Sequence, residues 1–385
     1  MSAFSFATAN SIHFGEGVAK TIPSLLQESH GPLFVLTGSD SKRHAQTLGL
    51  LTQAGFEVFI HPVHGEPDLN SINLATNAAR DSGAKCILAI GGGSVIDTGK
   101  AVAALATNSG QLIDFLEGVG KGKALTEDSL PFMAIPTTAG TGSEVTRNSV
   151  IGVPKAGVKV SLRSASMLPT WAVVDPELTY DLPPEIAAYT GMDALIQCLE
   201  AYLSKNSNPL TDGIAREGLR LAARSIKAAC KAPLDTHAKA DLCAASLCGG
   251  IALANAKLGS IHGFAGPLGG MINAPHGAIC ASLLVPCYSA NLRALDSRDP
   301  QNPSRSKMND VATLLTGNPQ AKASYAVAWF ESLSNALPLK TLGELGLAKE
   351  QFEEAARKSA SSSSMKGNPI ELTKFELIEI LEAAL

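Results

Sequence analysis

The stretch Cys86–Lys100 reads CILAIGGGSVIDTGK and decides the fold. Its first five residues form a continuous apolar run that predicts a buried strand, and the segment after the glycines predicts a helix. Gly91, Gly92 and Gly93 let the backbone come close to a phosphate group, and the N–H groups at the helix start face its negative charge. The stretch therefore predicts a strand–loop–helix unit that binds a nucleotide pyrophosphate. An ordinary tight turn is the alternative, and the spacing is not GxGxxG.

The same alternation of strand and helix extends through the first half of the chain. Four further apolar runs predict strands, and some of the segments between them are helix-like. These runs are PLFVLTG, FEVFIHPV, LPFMAIPTT and WAVVDPEL. Continuous rather than alternating apolar runs are typical of a parallel sheet with helices on both faces. After residue 183 the apolar residues recur three and four apart, and no further strand is predicted. We predict an α/β, Rossmann-like dinucleotide-binding domain over residues 1–183 and an all-α domain over residues 184–385.

A second polar loop follows the predicted strand LPFMAIPTT. Residues Pro136–Glu144 read PTTAGTGSE and are rich in hydroxyl groups and glycine. Open α/β sheets bind ligands in the crevice at the carboxyl ends of their strands, so this loop is expected to line the same crevice as the glycine loop. A purely structural polar loop is the alternative for this segment taken alone.

Composition argues against several classes of protein. The chain has 385 residues, with 31 Lys and Arg against 35 Asp and Glu and a net charge of −4. This balance gives no basic footprint for nucleic acid or acidic lipid. The long uncharged stretches are rich in Gly and Ala rather than Leu and Ile, so they predict buried segments and no membrane partner.

The cysteines and the N-terminus suggest where the protein resides. The seven cysteines lie mostly in apolar runs and form no CxxC pair, which predicts reduced thiols in the protein core. The first fifteen residues contain no Lys or Arg, so the charged start of a secretory signal is missing. Both observations predict a cytoplasmic protein.

Three residues of the helical half are candidate metal ligands. Asp193 lies in the apolar segment GMDALIQ, where a carboxylate is costly to bury unless it is paired or bound to a metal. His262 and His276 lie in the Gly- and Pro-rich segment SIHGFAGPLGGMINAPHGA. One carboxylate and two imidazoles form an open N/O site of the kind that catalytic divalent metals occupy. Taken singly, Asp193 could instead cap its helix, and each histidine could bond a backbone carbonyl.

Together these segments resemble the iron-containing (group III) alcohol dehydrogenases, in the superfamily that includes glycerol dehydrogenase and dehydroquinate synthase. The resemblance runs along the chain through GGGSVIDTGKA, PTTAGTGSEVTRNSVI, VVDPEL, LPPEIAAYTGMDAL, IHGFAGPLGG and NAPHGA. It implies a dehydroquinate synthase-like fold, NAD or NADP as coenzyme, a divalent metal (Fe²⁺ or Zn²⁺) and a homodimer or larger homo-oligomer. It implies metal binding and catalysis by Asp193, His262 and His276. The positions it implies for cofactor binding are Gly91, Gly92, Gly93, Ser94, Asp97, Thr137, Thr138, Asn148 and Lys159.

Two positions near the metal depart from the family's pattern. The family commonly has a fourth ligand, a histidine one helical turn after the aspartate, and this chain has Gln197 there. An amide oxygen is a weaker, neutral donor, so Gln197 is expected to be at most a weak fourth ligand. A further family histidine, four residues after the first metal-binding one, is replaced by Gly266. Metal binding by three residues remains the expectation, and a dedicated histidine for proton transfer is not expected.

A third departure concerns the coenzyme. The family often has an aspartate after the first strand of the nucleotide domain, where it contacts the adenosine ribose, and Gly38 occupies that place as a cofactor-binding position. Loss of the carboxylate, with Lys42 and Arg43 close by, favours NADP(H) because a 2′-phosphate is no longer repelled. The alternative is that Asp40 takes over the ribose contact.

The predicted activity is hydride transfer between a nicotinamide coenzyme and a small alcohol or aldehyde, with the metal polarising the substrate oxygen. A metal-independent reductase of an activated oxo-acid, of the maleylacetate reductase kind, is the first alternative. A dehydroquinate synthase-like lyase and a nucleotide-binding protein with a decayed metal site are the others. The oxo-acid reductase and the lyase need basic groups around an anionic substrate, and the sequence offers no such set near Asp193 or His262.

Overall fold

Six parallel strands form the sheet around which the first part of the protein is built. Their order across the sheet is β1-β8-β5-β4-β2-β3. The computed structural model describes residues 3–27, 31–231 and 235–385. The strand bounds are β1 Ser11–Phe14, β2 Leu33–Thr37, β3 Val58–Pro62, β4 Cys86–Gly91, β5 Phe132–Pro136 and β8 Trp171–Val174.

Burial of the strands follows the apolar runs of the sequence. Every residue of β2, β4 and β5 is buried, as expected for central strands covered on both faces. The edge strand β3 differs, because Phe59 and Ile60 are exposed. The prediction of a sheet buried on both faces is therefore confirmed for the central strands and wrong for this edge.

Helices cover the central strands through separate apolar clusters. The longest of them, α4, packs closely on the sheet because it carries glycine at position 99. A Cβ there would lie 2.6 Å from the Phe132 ring and 2.8 Å from the Ala89 side chain. The helices of this part of the chain are α1 Ile22–Leu25, α2 Ala45–Gln53, α3 Leu69–Asp81, α4 Gly93–Thr107 and α5 Leu112–Phe115.

A two-stranded antiparallel hairpin stands apart from the main sheet. It consists of β6, Asn148–Val153, and β7, Val158–Arg163. The sequence analysis did not predict it, because β6 alternates between buried and more exposed positions and lacks the continuous apolar run of the central strands. Gly152 of β6 also bridges to Asp68, directly before α3.

After β8 the described residues form helices only, as predicted. The chain divides into two compact units, and the helical one comprises residues up to Ala7, Ala139–Gly142 and Asp181–Leu385. We call the other, Thr8–Thr138 with Ser143–Tyr180, the α/β unit. The helical bounds are α6 Pro184–Leu203, α7 Pro209–Lys231, α8 Thr236–Ala256, α9 Ser260–Met271, α10 His276–Arg298, α11 Pro303–Thr316, α12 Ala323–Ala336, α13 Phe352–Ala360 and α14 Lys374–Ala383.

The Gly- and Pro-rich segment around His262 is more regular than a loop. Ser260–Met271 forms helix α9, which includes Pro267 in its interior. Its glycines permit close packing, since a Cβ at Gly263 would lie 2.9 Å from the Met365 side chain. Only the short break between α9 and α10 is not helical.

Helix α10 is long and apolar enough to cross a membrane by length and composition. However, 67% of its most apolar window is buried inside the protein. Helices α8 and α9 pass the same test only as a pair, and that pair is bent by 96°. Such burial is typical of a core helix that is apolar on most of its surface.

Candidate active site

The glycine loop lies where the strand order of the sheet reverses. From β2 the chain moves to β3 on one side and returns to β4 on the other side of β2. The carboxyl ends of β2 and β4 therefore flank the position at which open α/β sheets bind ligands. Gly38 directly follows β2, and Gly91 ends β4.

The local geometry of the loop suits an anion. Gly92 precedes α4 as its N-cap residue and no side chain caps the helix, so the first N–H groups of α4 are left for another acceptor. A Cβ at Gly91 would lie 2.5 Å from the Val95 side chain. A Cβ at Gly92 would lie 3.4 Å from Thr138, so the two predicted loops are neighbours.

The carboxylate of Asp97 is bound by other groups of the protein and is not free to bind a ligand. Its Oδ2 accepts a hydrogen bond from the backbone N–H of Val150 at 2.8 Å, and its Oδ1 accepts one from the Ser143 hydroxyl. The ammonium of Lys100 lies 3.0 Å from the same Oδ1. Both carboxylate oxygens are therefore engaged by protein groups, and Asp97 holds the segment after β5 against α4.

Lys100 is the buried cation of this network. Its side chain is fully buried, and its Nζ donates to the Ser143 carbonyl at 3.0 Å and to the Thr146 hydroxyl at 2.9 Å. Burial lowers the pKa of Lys100, while the charge of Asp97 opposes that shift. Sequence reasoning missed Lys100, although its spacing three residues after Asp97 in a helix was a signal.

The other predicted nucleotide contacts lie in different elements of the α/β unit. The backbone N–H of Thr137 donates to the Gly91 carbonyl at 3.0 Å. Asn148 begins β6, whereas Lys159 pairs with Gly152 near the other end of the hairpin. At about 3.3 Å per residue, Asn148 and Gly152 are roughly 13 Å apart along the strand, so Asn148 and Lys159 lie at different ends of the hairpin. Lys159 also pairs with Glu66 at 3.1 Å.

The segment after Gly38 forms a short 3₁₀ turn, Ser41–His44. Asp40 caps this turn by accepting a hydrogen bond from the backbone N–H of Lys42 at 3.1 Å. Lys42 and Arg43 are both exposed. One carboxylate oxygen of Asp40 is thus engaged locally, and two exposed cationic side chains follow Gly38 closely in the sequence.

Within the helical unit, the three predicted metal ligands lie together. Asp193 is on α6, His262 is on α9 and His276 is the first residue of α10. The Asp193 Oδ1 lies 3.1 Å from the Nε2 of His262 and 3.8 Å from the Nε2 of His276. The Asp193 and His262 side chains are buried, whereas the His276 side chain is 38% exposed. The cluster is therefore reached from the side of His276.

The electrostatics of the cluster favour an ionised carboxylate. Burial alone raises the pKa of Asp193, but the hydrogen bond from His262 and the charges of both histidines hold it below its ordinary value. The neighbouring Cys280 raises the pKa of His276 to about 9. Protonated, cationic imidazoles are thus favoured beside the anionic Asp193 carboxylate. A divalent cation can replace those protons as the positive charge of the cluster.

Glu200 contacts the ring nitrogen of His262 that does not face Asp193. It lies seven residues after Asp193 on α6, hence on the same helical face. Its Oε2 is 2.8 Å from the Nδ1 of His262, and its Oε1 accepts a hydrogen bond from the backbone N–H of Ile261 at 2.6 Å. A carboxylate bonded to one imidazole nitrogen orients the ring and leaves the other nitrogen for a metal. Sequence reasoning missed Glu200, although an acidic residue in an apolar helix was a signal.

Cys280 completes the cluster. One ligand atom each from Asp193, His262, His276 and Cys280 lie within 4.8 Å of one another. Cys280 follows His276 by four residues and is fully buried. The prediction of a mere core thiol overlooked this i, i+4 relation to a candidate ligand on one helix.

Gln197 and Gly266, which depart from the family pattern near the metal, differ in their surroundings. The Nε2 of Gln197 donates to the Gly140 carbonyl at 3.1 Å, and its buried Oε1 has no hydrogen-bond partner in the described part of the chain. A hydrogen bond from Gln197 also lowers the pKa of Asp193. At Gly266 a Cβ would meet nothing within 4 Å, so the place of the family's second histidine is open space.

The donor set fits a divalent metal. A carboxylate, two imidazoles and a thiol are ligands that Zn²⁺ and Fe²⁺ accept, and one of the imidazoles is oriented by a carboxylate. The orphaned amide oxygen of Gln197 is a further polar atom that lacks a protein partner in the described residues. The residues present therefore suit the ion that the resemblance implies.

Comparison with known proteins identifies the family to which the chain belongs. Residues 9–176 match the family model described as iron-containing alcohol dehydrogenase, and residues 187–385 match that of the Fe-containing alcohol dehydrogenase family, C-terminal. Alcohol dehydrogenase 4 of Saccharomyces cerevisiae (strain YJM789) is 34% identical over 87% of this chain and 85% of its own length. The 1,3-propanediol dehydrogenase of Klebsiella pneumoniae is 34% identical over 88% of this chain and 86% of its own.

The fold agrees as well. A crystal structure of 1,3-propanediol oxidoreductase superposes with a TM-score of 0.92 at 30% identity, and the match covers 100% of each chain. The two family models together account for both the sheet with its glycine loop and the helices that carry the metal cluster. The chain is an oxidoreductase that belongs to the iron-containing alcohol dehydrogenase family.

Proposed function

We propose that the protein interconverts a small, uncharged alcohol and its aldehyde with NADP(H) or NAD(H), at a divalent metal held by Asp193, His262 and His276. The cluster of these three side chains within the helical unit is the observation that carries the proposal. When bound, the nicotinamide would supply or accept the hydride that the substrate gains or loses.

Each group of the cluster has a separate task. When bound, the metal supplies Lewis-acid polarisation of the substrate oxygen. Asp193 provides the negative charge that attracts the cation, and Glu200 holds His262 with its Nε2 toward Asp193. The partly exposed His276 stands on the side from which a substrate enters.

The coenzyme is proposed to bind at the carboxyl edge of the parallel sheet. The pyrophosphate lies against the glycine loop and the uncapped start of α4, with Thr137 and Thr138 beside it. Asp97 is a positioning residue in this proposal, because both its oxygens already bind protein groups. Asn148 and Lys159 contact parts of the coenzyme that lie further along.

We propose that the site accepts NADP(H). Gly38 puts no side chain beside the position of the adenosine ribose, and a Cβ there would meet nothing within 4 Å. Lys42 and Arg43 are exposed cations that a 2′-phosphate can attract. Asp40 is partly engaged in capping its own turn, which supports this preference over a ribose contact from Asp40.

An uncharged substrate is favoured over a dicarboxylate. Among the described residues, the leading influences on the pKa values of Asp193 and His276 are burial, one another, Cys280, His262 and Gln197, and they include no lysine or arginine. A site for an oxo-acid or a phosphorylated lyase substrate needs such cations. The open space at Gly266 leaves proton exchange to solvent or to the coenzyme ribose hydroxyls rather than to a histidine there.

Several broader expectations belong to the same proposal. We place the functional division of the chain near residue 183, with the nucleotide domain before it and the metal-binding domain after it. The protein is proposed to work in the cytoplasm as a homodimer or larger homo-oligomer, without a nucleic-acid or membrane partner. The balanced charge of 31 basic against 35 acidic residues supports the last of these expectations.

Asp193→Ala and His276→Ala test the proposal. Each variant should lose most of its bound metal and nearly all turnover of short aldehydes, because each removes a ligand. Coenzyme binding, followed by quenching of protein fluorescence or calorimetry with NADPH and NADH, should persist because the glycine loop is untouched. Glu217→Gln, a surface change on α7, is the control. Full turnover in either ligand variant would contradict the proposed metal site.

A further inference from the structure

We propose that the Cys280 thiolate is a fourth protein ligand of the metal in this chain, in the role that a histidine at position 197 fills elsewhere in the family. The inference rests on the proposed metal site at Asp193, His262 and His276. It adds a sulfur donor to a site that the sequence predicts to contain only nitrogen and oxygen ligands.

The distances within the cluster fit coordination by Cys280. The Sγ of Cys280 lies 3.6 Å from the Nε2 of His276. Zinc binds sulfur at about 2.3 Å and imidazole nitrogen at about 2.0–2.1 Å, so two such ligands on a tetrahedral ion are about 3.6 Å apart. The observed separation matches that of two ligands on one zinc ion, and without a metal it is bridged by a sulfur hydrogen bond. The Sγ also lies within 4.8 Å of the ligand atoms of Asp193 and His262.

Helix α10 fixes this arrangement. His276 is its first residue, and Cys280 follows one turn later on the same face. Cys280 is completely buried, so its sulfur is held among the other ligands and is not free to turn toward solvent. Asp193 and His262 approach the sulfur from α6 and α9, whereas His276 shares α10 with Cys280.

Gln197 is a weaker candidate for the fourth ligand than Cys280. Its Oε1 is buried and has no partner among the described residues, but it belongs to an uncharged amide whose nitrogen is bound to the Gly140 carbonyl. A neutral amide oxygen is also a weak partner for a borderline-soft ion compared with a thiolate. Cys280 therefore restores the ligand count that Gln197 reduces.

A sulfur ligand changes which metal the site prefers. Thiolate ligands favour zinc over harder oxygen-preferring ions, and the site then carries two anionic ligands, Asp193 and Cys280. We therefore expect this chain to hold Zn²⁺ firmly, and Co²⁺ as its spectroscopic substitute.

The test uses the full-length protein loaded with Co²⁺ in place of its native metal. Thiolate bound to Co²⁺ produces an intense charge-transfer band in the near ultraviolet, which nitrogen and oxygen ligands do not. Wild type and Cys287→Ser should show this band, and Cys280→Ser should lack it. Cys287 is the matched control because it is equally buried on α10 but lies outside the cluster. Chelator competition should show Zn²⁺ affinity at least about tenfold lower in Cys280→Ser.

X-ray absorption of the zinc-loaded wild type gives a second readout that needs no variant. We expect one sulfur neighbour at about 2.3 Å with nitrogen and oxygen at about 2.0–2.1 Å. A bound metal with only nitrogen and oxygen neighbours, or a band that survives Cys280→Ser, would overturn the role of Cys280 and leave the proposed dehydrogenase site intact. Failure of wild type to bind either ion would instead contradict the metal site itself.

Discussion

Two further side chains act on the proposed ligands, because Glu200 binds the imidazole of His262 and Cys280 lies one helical turn after His276. Asp193, His262 and His276 could be selected because a carboxylate in an apolar helix and histidines in a glycine-rich segment are unusual. The roles of Glu200 and Cys280 could not be predicted from the sequence, because they depend on how α6, α9 and α10 pack. Their spacings of seven and four residues from a ligand became informative only once those helices were known to converge.

Glu200→Gln tests the support of His262. The glutamine keeps much of the shape but loses the charge that orients the imidazole and strengthens it as a ligand. We expect Zn²⁺ affinity, measured by chelator competition, to fall by about 10–100-fold. Glu217→Gln on α7 should leave affinity unchanged. If Glu200→Gln binds Zn²⁺ as tightly as wild type, the proposed orientation of His262 is incorrect.

Elements were predictable where one physical signal dominated. The continuous apolar runs of β2, β4 and β5 identified buried parallel strands, and the three glycines at the junction of β4 and α4 identified a close backbone turn. The hairpin β6–β7 gave a weaker signal because its residues are only partly buried. Helix α9 was obscured because glycine and proline usually interrupt helices, whereas here glycine allows close contact with Met365.

The packing of α4 on the sheet predicts the effect of Gly99→Ala. The added methyl group would lie 2.6 Å from Phe132 and 2.8 Å from Ala89. We expect a loss of about 1–3 kcal/mol in the free energy of unfolding, measured with urea, because a filled core resists added volume. Gly49→Ala in α2 is the matched control, since its Cβ would meet nothing within 4 Å. That variant should be neutral or stabilised by about 0.5–1 kcal/mol; equal effects would contradict the packing argument.

Glu144, in the segment after β5, makes the free energy of unfolding depend on pH. Burial raises the pKa of Glu144 to about 7, and the charge of Lys100 only partly offsets this shift. A carboxyl whose pKa is raised by folding weakens the fold as pH increases from about 4.5 to about 7.

Glu144→Gln should remove that cost. Relative to wild type, the variant should gain up to about 3 kcal/mol in unfolding free energy at pH 8 and little at pH 4.5, by urea denaturation at both values. A stability difference that does not change with pH would show that Glu144 does not titrate as its burial indicates.

For the whole molecule, the central claim is that a metal held by the helical unit is required for coenzyme-dependent turnover. The decisive measurement is the metal content of protein purified anaerobically, paired with NADPH- and NADH-dependent reduction of short aldehydes before and after chelation. We expect stoichiometric divalent metal, turnover that chelation abolishes and recovery on addition of Zn²⁺ or Fe²⁺. Turnover that persists in metal-free protein would contradict the account and indicate a metal-independent reductase.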